Sequence, residues 1–492
     1  MQATRPFAAS WSSSARPALL AALFGALVGG GSLAQAASID PDLAARLSRD
    51  LGSQPHPVIL RLAKQPDADE IAQRVASLPQ GQRGGRLLEA LKAFNTPLQA
   101  PLLLDLQARH ATDVTPLVTV NAIAAHLPAK DIRELAKRGD IASIRYDLGL
   151  LAPSRRLVAD PCRPARPTPR QRLPKSCRNE ARPAAPMQVA AFDAQLPASP
   201  MLQSLGAPLA WKAGVTGQGV TVAVIDTGID ARHPDLAGSF RGGAGDWFDV
   251  HGEHDSPVDK HGHGTQIAGL VTGTGASGQT LGVAPQARWI AARIYNDRNV
   301  GRLSQLHRIM AWLLDPDGKP GTADAPQIVL NAWGLGDRPG VCDDEFARDL
   351  RWLRAAGMHV VFAAGNGGPT ENSSVSPANN VGALAVGALD GAGAPALFSS
   401  RGVSSCDARV YPDLMAPGEL LRTTDLSAGG LPLTTAGTGT SYAAAVVSGQ
   451  LALLMQAKPE LAPAAREALL RPVNGETAPL LRALGLPPRS QP

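Results

Sequence analysis

The chain has 492 residues, of which 44% are hydrophobic and 18% charged, and a formal net charge of +5. This composition excludes a largely disordered chain and a membrane-embedded one. From Ser199 onward the chain contains 26 acidic and 22 basic residues, so the excess of basic residues lies upstream of Ser199. The charge therefore does not indicate nucleic acid or a membrane as a partner. At this length we expect two folded parts joined by a linker.

Residues 1–36 have the pattern of a secretory signal peptide. Arg5 and Arg16 precede the apolar run 17–28, and small residues lead to Ala36, after which we expect cleavage. The apolar run is shorter than the roughly 20 residues that a membrane-spanning helix needs. The sequence therefore predicts a secreted protein, extracellular or periplasmic, without a membrane partner.

Residues 37–150 have the pattern of a small α+β domain. Predicted strands at 58–62, 117–122 and 141–146 alternate with helices at 68–78, 86–110 and 130–137, and the second helix is interrupted at Pro97 and Pro101. This order favours a compact ferredoxin-like unit. Residues 151–198 are rich in Pro and Arg, and they predict either an exposed linker that is cut by proteolysis or a solvated spacer without a processing role.

Residues 199–472 alternate short apolar runs with amphipathic helices, and residues 473–492 form a tail. The pattern is typical of a doubly wound α/β fold, in which helices cover both faces of a buried parallel sheet. Predicted strands are 220–225, 289–294, 328–330, 360–363 and 383–386, and predicted helices are 265–271, 303–314 and 345–355. Ligands of such folds bind beyond the carboxyl ends of the strands.

Four cysteines in an exported chain favour disulfides over metal or redox chemistry. Three pairings are possible. Because Cys162 and Cys177 share one segment while Cys342 and Cys406 share another, we favour the two local pairs, Cys162 with Cys177 and Cys342 with Cys406.

Three motifs place polar side chains where ligands are expected. VTVAVIDTGID puts Asp226 at the end of a strand, DKHGHGT puts His263 before a helix, and GTGTSYAAA puts Ser441 at a helix start. Taken singly, each has a structural alternative: a carboxylate that caps a turn, a metal-binding pair of His261 and His263, and an N-cap serine. A carboxylate-dyad peptidase would need a second DTG or DSG motif, and the sequence has none.

A fourth motif, AAGNGGP, carries Asn366 in a Gly-rich turn, where the residue is either a turn former or an oxyanion donor. In the order Asp226, His263, Asn366, Ser441, the four motifs resemble those of the subtilisin-like serine peptidases, peptidase family S8. The resemblance runs from about residue 205 to 457. The segments ARWIAARI and IVLNAWG look most like the bacillopeptidase F branch of this family.

The resemblance implies a serine-type endopeptidase that acts on proteins or peptides. Asp226 would orient His263, which would accept the proton of Ser441, while Asn366 would stabilise the oxyanion. Two chain segments would form the walls of the primary substrate pocket: Ala332, Trp333 and Gly334, and Ala363, Ala364 and Gly365.

The resemblance also implies that the upstream α+β unit is a prodomain, an intramolecular inhibitor of a monomeric zymogen whose mature form starts near or after Ala198. No cofactor and no metal are expected, since the loop 272–280 is short and lacks an acidic residue. Gln266 and Ala445 stand where the family usually has His and Pro. The alternative is a catalytically silent subtilisin-like binding protein, which a missing triad residue would favour; none is missing.

Overall fold

A computed structural model describes residues 36–50, 54–153, 191–427, 431, 433–472 and 479–487. The predicted signal peptide apart from Ala36, most of the predicted linker, and the predicted pair Cys162 and Cys177 lie outside these residues. No helix within the described ranges is long and apolar enough to cross a membrane.

The N-terminal part is built around a five-stranded sheet. Its elements are β1 (Ser38–Ile39), α1 (Pro41–Arg49), β2 (His56–Leu62), α2 (Ala68–Ala76), α3 (Gln80–Ala108), β3 (Thr112–Leu117), β4 (Ala122–Leu127), α4 (Ala129–Leu135), β5 (Ile141–Tyr146) and β6 (Gly149–Leu151). The strand order is β1-β5-β2-β4-β3, with β1 and β5 parallel and the other pairs antiparallel. The predicted small α+β unit is therefore present.

The two faces of this sheet are buried in different cores, as the period of two along β2 requires. Val58 and Leu60 pack with α1, α4 and the end of α3, whereas Ile59 belongs to a cluster that continues into the C-terminal part of the chain. The second face thus shares a core with α2, the first half of α3 and the helices of the C-terminal part.

Two predictions for this part are wrong. Pro97 and Pro101 lie inside α3, which continues without a break because Asn95 and Gln99 bond the hairpin beside it and the helix is packed along its length. The predicted strand 117–122 is instead the turn between β3 and β4, where Asn121 adopts a φ of +39° and bonds the Lys64 carbonyl. At Pro97 and Pro101, tertiary contacts thus outweigh the tendency of proline to interrupt a helix.

The C-terminal part contains a seven-stranded sheet in which every neighbouring pair is parallel. Its elements are α5 (Pro200–Leu205), α6 (Ala207–Lys212), β7 (Thr221–Asp226), α7 (Pro234–Ala237), β8 (Trp247–Asp249), α8 (His263–Thr272), β9 (Arg288–Arg293), β10 (Val300–Arg302), α9 (Leu303–Leu314), β11 (Ile328–Asn331), α10 (Ala347–Ala355), β12 (His359–Ala363), β13 (Leu384–Leu389), β14 (Gly402–Val403), β15 (Val410–Tyr411), β16 (Leu414–Pro417), β17 (Leu421–Thr424), β18 (Thr434–Gly437), α11 (Thr440–Ala457), α12 (Pro463–Leu469) and α13 (Pro479–Leu484). The predicted α/β class is confirmed.

The strand order β16-β13-β12-β11-β7-β9-β8 reverses its direction of growth between β7 and β11. From β7 the chain adds β8 and β9 on one side, and from β11 it adds the remaining strands on the other. A crevice forms at the carboxyl ends of strands where the order reverses in this way. Asp226 ends β7 and Ala332 follows β11, so both lie at this reversal point.

Helices cover both faces of the sheet. Along β7, Val222 and Val224 face the cluster that contains α8 and α11, whereas Ala223 and Ile225 face the cluster that contains α9 and α10. The N-terminal sheet packs on the α9 and α10 side. The predicted disulfide between Cys342 and Cys406 is confirmed, with a Cα to Cα distance of 4.9 Å.

Candidate active site

Asp226 and His263 form a buried pair at the carboxyl end of β7. The His263 Nδ1 atom lies 2.8 Å from Asp226 Oδ1 and 2.9 Å from Oδ2. The two residues are 2% and 8% exposed. Asp226 Oδ1 also accepts the backbone N–H of Thr227 at 2.7 Å. The carboxylate therefore fixes one ring nitrogen of the imidazole and leaves the other directed away from it.

The close approach of these two residues depends on glycine. A Cβ atom on Gly264 would lie 2.1 Å from the carbonyl oxygen of Gly228 and 3.1 Å from Asp226 Cβ. Gly228 itself has a φ of +104°, and a Cβ there would meet the Val258 carbonyl. The glycines of the DTG and HGT motifs thus let the turn after β7 touch the start of α8.

Asp259 fixes the loop before α8 through hydrogen bonds, a role that was not predicted from the sequence. Its Oδ1 accepts the N–H groups of His261 and Gly262, and its Oδ2 accepts both the N–H and the hydroxyl of Thr265. The sequence does contain a signal, since an Asp shortly before a helix commonly caps it. The bonds of Asp259 fix the backbone on both sides of His263.

Ser441 is the second residue of α11, which begins at Thr440. Its Oγ atom donates to the Ala332 carbonyl at 3.0 Å, and the residue is 7% exposed. The ring of the next residue, Tyr442, lies 6.0 Å from the His263 ring. The structure therefore brings Asp226, His263 and Ser441, which are far apart in the sequence, to one end of the sheet.

Asn366 is held in one orientation by Thr440. The N–H and the hydroxyl of Thr440 both donate to Asn366 Oδ1 at 3.0 Å. Because a backbone N–H can only donate, the amide oxygen must face Thr440. The NH2 group of Asn366, an exposed residue, is then the end of the side chain that can donate to a substrate oxygen.

The predicted pocket walls lie on either side of Val375. A Cβ on Gly334 would lie 3.1 Å from Val375 Cγ1, and a Cβ on Gly365 would lie 2.7 Å from Val375 Cγ2. The predicted segments Ala332 to Gly334 and Ala363 to Gly365 are therefore neighbours. Trp333 turns its side chain into the core, where it packs on Phe346 and Phe362, so only its backbone can reach a substrate.

The two departures from the family pattern are accommodated. Gln266 Oε1 accepts the Tyr442 hydroxyl at 2.5 Å, which ties α8 to α11, and Ala445 is fully buried within α11. Among the described residues, the groups that could hold a metal ion are Asp249 with Glu253 and His254, and Asp315 with Asp317 and Asp324. Neither group includes His261 or His263, so the geometry does not favour the metal-pair alternative.

Known proteins resemble this chain in sequence. A sequence profile of the subtilase family, Peptidase_S8, matches residues 217–483. The chain is 35% identical to bacillopeptidase F of Bacillus subtilis over 282 residues, which are 53% of the chain and 19% of that protein. It is 33% identical to the serine protease AprX of Bacillus subtilis over 283 residues, 52% of the chain and 61% of that protein.

A third relative is the subtilisin of Bacillus pumilus, 33% identical over 262 residues, which are 52% of the chain and 84% of that protein. The chain thus spans less than two thirds of bacillopeptidase F and of AprX. The resemblance predicted from the motifs, including that to bacillopeptidase F, is confirmed.

Proposed function

The chain belongs to the subtilase family, and on that premise we propose that it is a secreted serine endopeptidase made as a zymogen. The observation that carries the proposal is the bonded pair of Asp226 and His263 at the reversal point of a parallel sheet. The start of α11, which carries Ser441, lies close to this pair, since the Tyr442 ring is 6.0 Å from the His263 ring. The oriented amide of Asn366 adds an oxyanion donor. A silent binding protein would not need this full set.

Catalysis would follow from these positions. Ser441 Oγ attacks the scissile carbonyl carbon and gives its proton to the imidazole of His263, whose other nitrogen is held by Asp226. The carbonyl oxygen becomes an oxyanion, which the Asn366 NH2 and the Ser441 N–H stabilise. As the C=O bond re-forms, the C–N bond breaks and the imidazolium protonates the leaving amine, which leaves an acyl-enzyme on Ser441. Water then attacks the acyl-enzyme by the same steps and releases Ser441. Neither a metal nor a cofactor is required for this sequence.

The inhibitory role of the upstream unit is supported by β6. This strand pairs antiparallel with β10, with Leu150 opposite Gly301, and the Ala152 N–H donates to the Asn299 carbonyl. β10 follows β9, whose neighbour β7 ends in Asp226. We infer that a peptide paired with β10 lies where an extended substrate would bind.

Ion pairs fasten the same unit to the other part of the chain. Arg145 Nη1 lies 2.7 Å from Glu345 Oε2, and its Nη2 lies 2.9 Å from Asp343 Oδ2. Burial raises the pKa of Asp343, but Arg145 outweighs this effect and holds the pKa below its ordinary value. The carboxylates therefore stay charged and paired at neutral pH.

We assign residues 1–36 to a signal peptide, 37–150 to the inhibitory prodomain, 151–198 to the linker, 199–472 to the peptidase domain and 473–492 to a tail. The substrates would be proteins or peptides, and the mature enzyme would be a secreted monomer. The order of these segments is the support for secretion and for activation by cutting.

Labelling with a serine-directed phosphonate tests the proposal. The reagent should modify Ser441, and Ser441→Ala should abolish labelling and lower kcat by about a millionfold. Ser448, buried in the same helix, is the matched control, and Ser448→Ala should keep both labelling and activity. Full activity of Ser441→Ala, or an inert wild-type chain after removal of residues 37–150, would favour the silent binding protein instead.

A further inference from the structure

A loop between α9 and β11 brings three carboxylates together. Oxygen atoms of Asp315, Asp317 and Asp324 lie within 4.8 Å of one another. Gly318 turns the chain between them at a φ of +72°, a conformation that glycine adopts without strain. Three negative charges so close repel one another, so a bound cation would stabilise the cluster.

One oxygen of the buried Asp315 carboxylate has no hydrogen-bond donor within the described part of the chain. The residue is 6% exposed, and its Oδ1 atom accepts no hydrogen bond from the described residues. A buried oxygen without a donor is destabilising unless something else binds it.

The other acidic group among the described residues differs in this respect. There the buried guanidinium of Arg293 lies 2.9 Å from Asp249 Oδ2 and 2.9 Å from Glu253 Oε2, and so supplies an internal cation. In the loop, Lys319 is 72% exposed and its Nζ lies 4.0 Å from Asp317 Oδ2. An exposed lysine at that distance does not balance three carboxylates.

We propose that the loop from Asp315 to Asp324 is a calcium site. Asp315 Oδ1 would bind the ion directly, and Asp317 and Asp324 would supply the other carboxylate oxygens. Calcium accepts six to eight oxygen ligands in flexible geometry, whereas magnesium usually takes one or two carboxylates together with water or phosphate. A loop with three carboxylates therefore suits calcium. The pattern Asp-Pro-Asp-Gly is also that of an ordinary turn, so the sequence alone predicts no metal here.

The loop supports α3 of the N-terminal unit. A Cβ on Gly84 would lie 2.2 Å from the Leu314 carbonyl oxygen, and a Cβ on Gly85 would lie 2.6 Å from Pro320 Cα. The helix can approach so closely only if the loop keeps one conformation. A bound calcium ion would hold that conformation, so it should stabilise the whole precursor.

The test uses the full-length precursor with Ser441→Ala, which removes the proposed nucleophile and so prevents self-cutting. After removal of metals with EDTA, calcium chloride is added in a calorimetric titration, and melting is measured with and without calcium. Asp315→Asn keeps the side-chain shape, and Asp317→Asn changes a less buried ligand. Glu253→Gln, in the group that Arg293 neutralises, is the matched control.

We expect Asp315→Asn to reduce calcium affinity at this site at least about tenfold, and to lose most of the rise in melting temperature that calcium gives the parent. Without calcium, Asp315→Asn should melt at or above the parent temperature, because an unpaired buried charge is removed. Glu253→Gln should bind calcium as the parent does. The proposal is overturned if Asp315→Asn and Asp317→Asn keep the parent's affinity, stoichiometry and calcium-dependent melting, or if magnesium binds more tightly than calcium.

Discussion

The side chain of Val375 fills the space beside Gly365. A Cβ atom on Gly365 would lie 2.7 Å from Val375 Cγ2, and Val375 is 3% exposed. Gly334, on the opposite wall of the proposed primary pocket, faces Cγ1 of the same side chain. We therefore expect these two methyl groups to limit the depth of the proposed pocket.

We predict that the enzyme prefers small side chains on the acyl side of the cleaved bond. Val375→Ala should raise kcat/KM for a peptide with Leu or Phe at this position by about 10- to 100-fold, since each methylene in such a pocket contributes about 1–3 kcal/mol. Paired peptides that differ only at this residue provide the measurement. An unchanged ratio between the Ala and Phe peptides would show that Val375 does not limit the pocket.

Thr440 should act as a positioning residue for Asn366. Thr440→Val removes the hydroxyl that donates to Asn366 Oδ1 and that accepts the Gly365 N–H at 3.1 Å. We expect kcat to fall about tenfold while KM stays nearly constant, because the oxyanion donor is used only in the transition state. Thr440→Ser keeps the hydroxyl and should restore kcat. Equal losses in both variants would indicate a packing effect.

The structure brings the motif residues to one end of the sheet, whereas the periodicity misplaced parts of the N-terminal unit. A buried parallel strand is a continuous apolar run, which is a strong local pattern. The predicted bounds of β7 and β12 therefore lie within a residue of the observed ones. The course of α3 through Pro97 and Pro101 depends on partners far away in the chain, which no local pattern contains.

The same distinction holds within the site. Asp226, His263 and Ser441 could be singled out because each lies in a short motif of adjacent residues, DTG, HGT and GTS. Asp259 and Thr440 act through bonds to backbone groups that only the folded loop brings near them. Asp and Thr are common in ordinary turns and caps, so their spacing in the sequence could not show that these two residues position the candidate site.

His307 gives the precursor a stability that depends on pH. Burial alone lowers the pKa of His307, but Asp349 and Glu345, each 2.9 Å from a ring nitrogen, raise it to about 9. The folded state therefore holds a proton that the unfolded chain releases above about pH 6.5. This contribution is complete below about pH 6.5 and is lost as the pH rises through about 9.

We predict that the precursor with Ser441→Ala loses on the order of 2–3 kcal/mol of unfolding free energy between about pH 6 and pH 10. Urea unfolding at several pH values measures this loss. His307→Gln cannot be protonated, so it should be less stable at neutral pH but should show a flatter profile. A His307→Gln profile as steep as that of the parent would assign the pH dependence to other groups.

The packing of residues 192–199 predicts where the mature enzyme begins. The rings of Phe192 and Trp211 meet edge to face at 5.3 Å. Thr280 donates its N–H to the Pro197 carbonyl at 3.0 Å and accepts the Ser199 N–H at 3.2 Å. The sequence motifs indicate a start near or after Ala198. Such a start would remove the contact between Phe192 and Trp211 and the bond from Thr280 to Pro197.

We therefore expect activating cleavage upstream of Phe192, in the Arg-rich stretch that follows Pro153, and N-terminal sequencing of the secreted active form should find a start there. Phe192→Ala is the control that distinguishes the two positions. If Phe192 remains in the mature enzyme, its loss should lower the melting temperature, because an aromatic pair contributes about 0.5–1.5 kcal/mol beyond its buried area. If the mature enzyme starts at or after Ser199, Phe192→Ala and the parent should yield mature enzymes that melt at the same temperature. A start near Ala37 with full activity would instead make the N-terminal unit a permanent part of the enzyme.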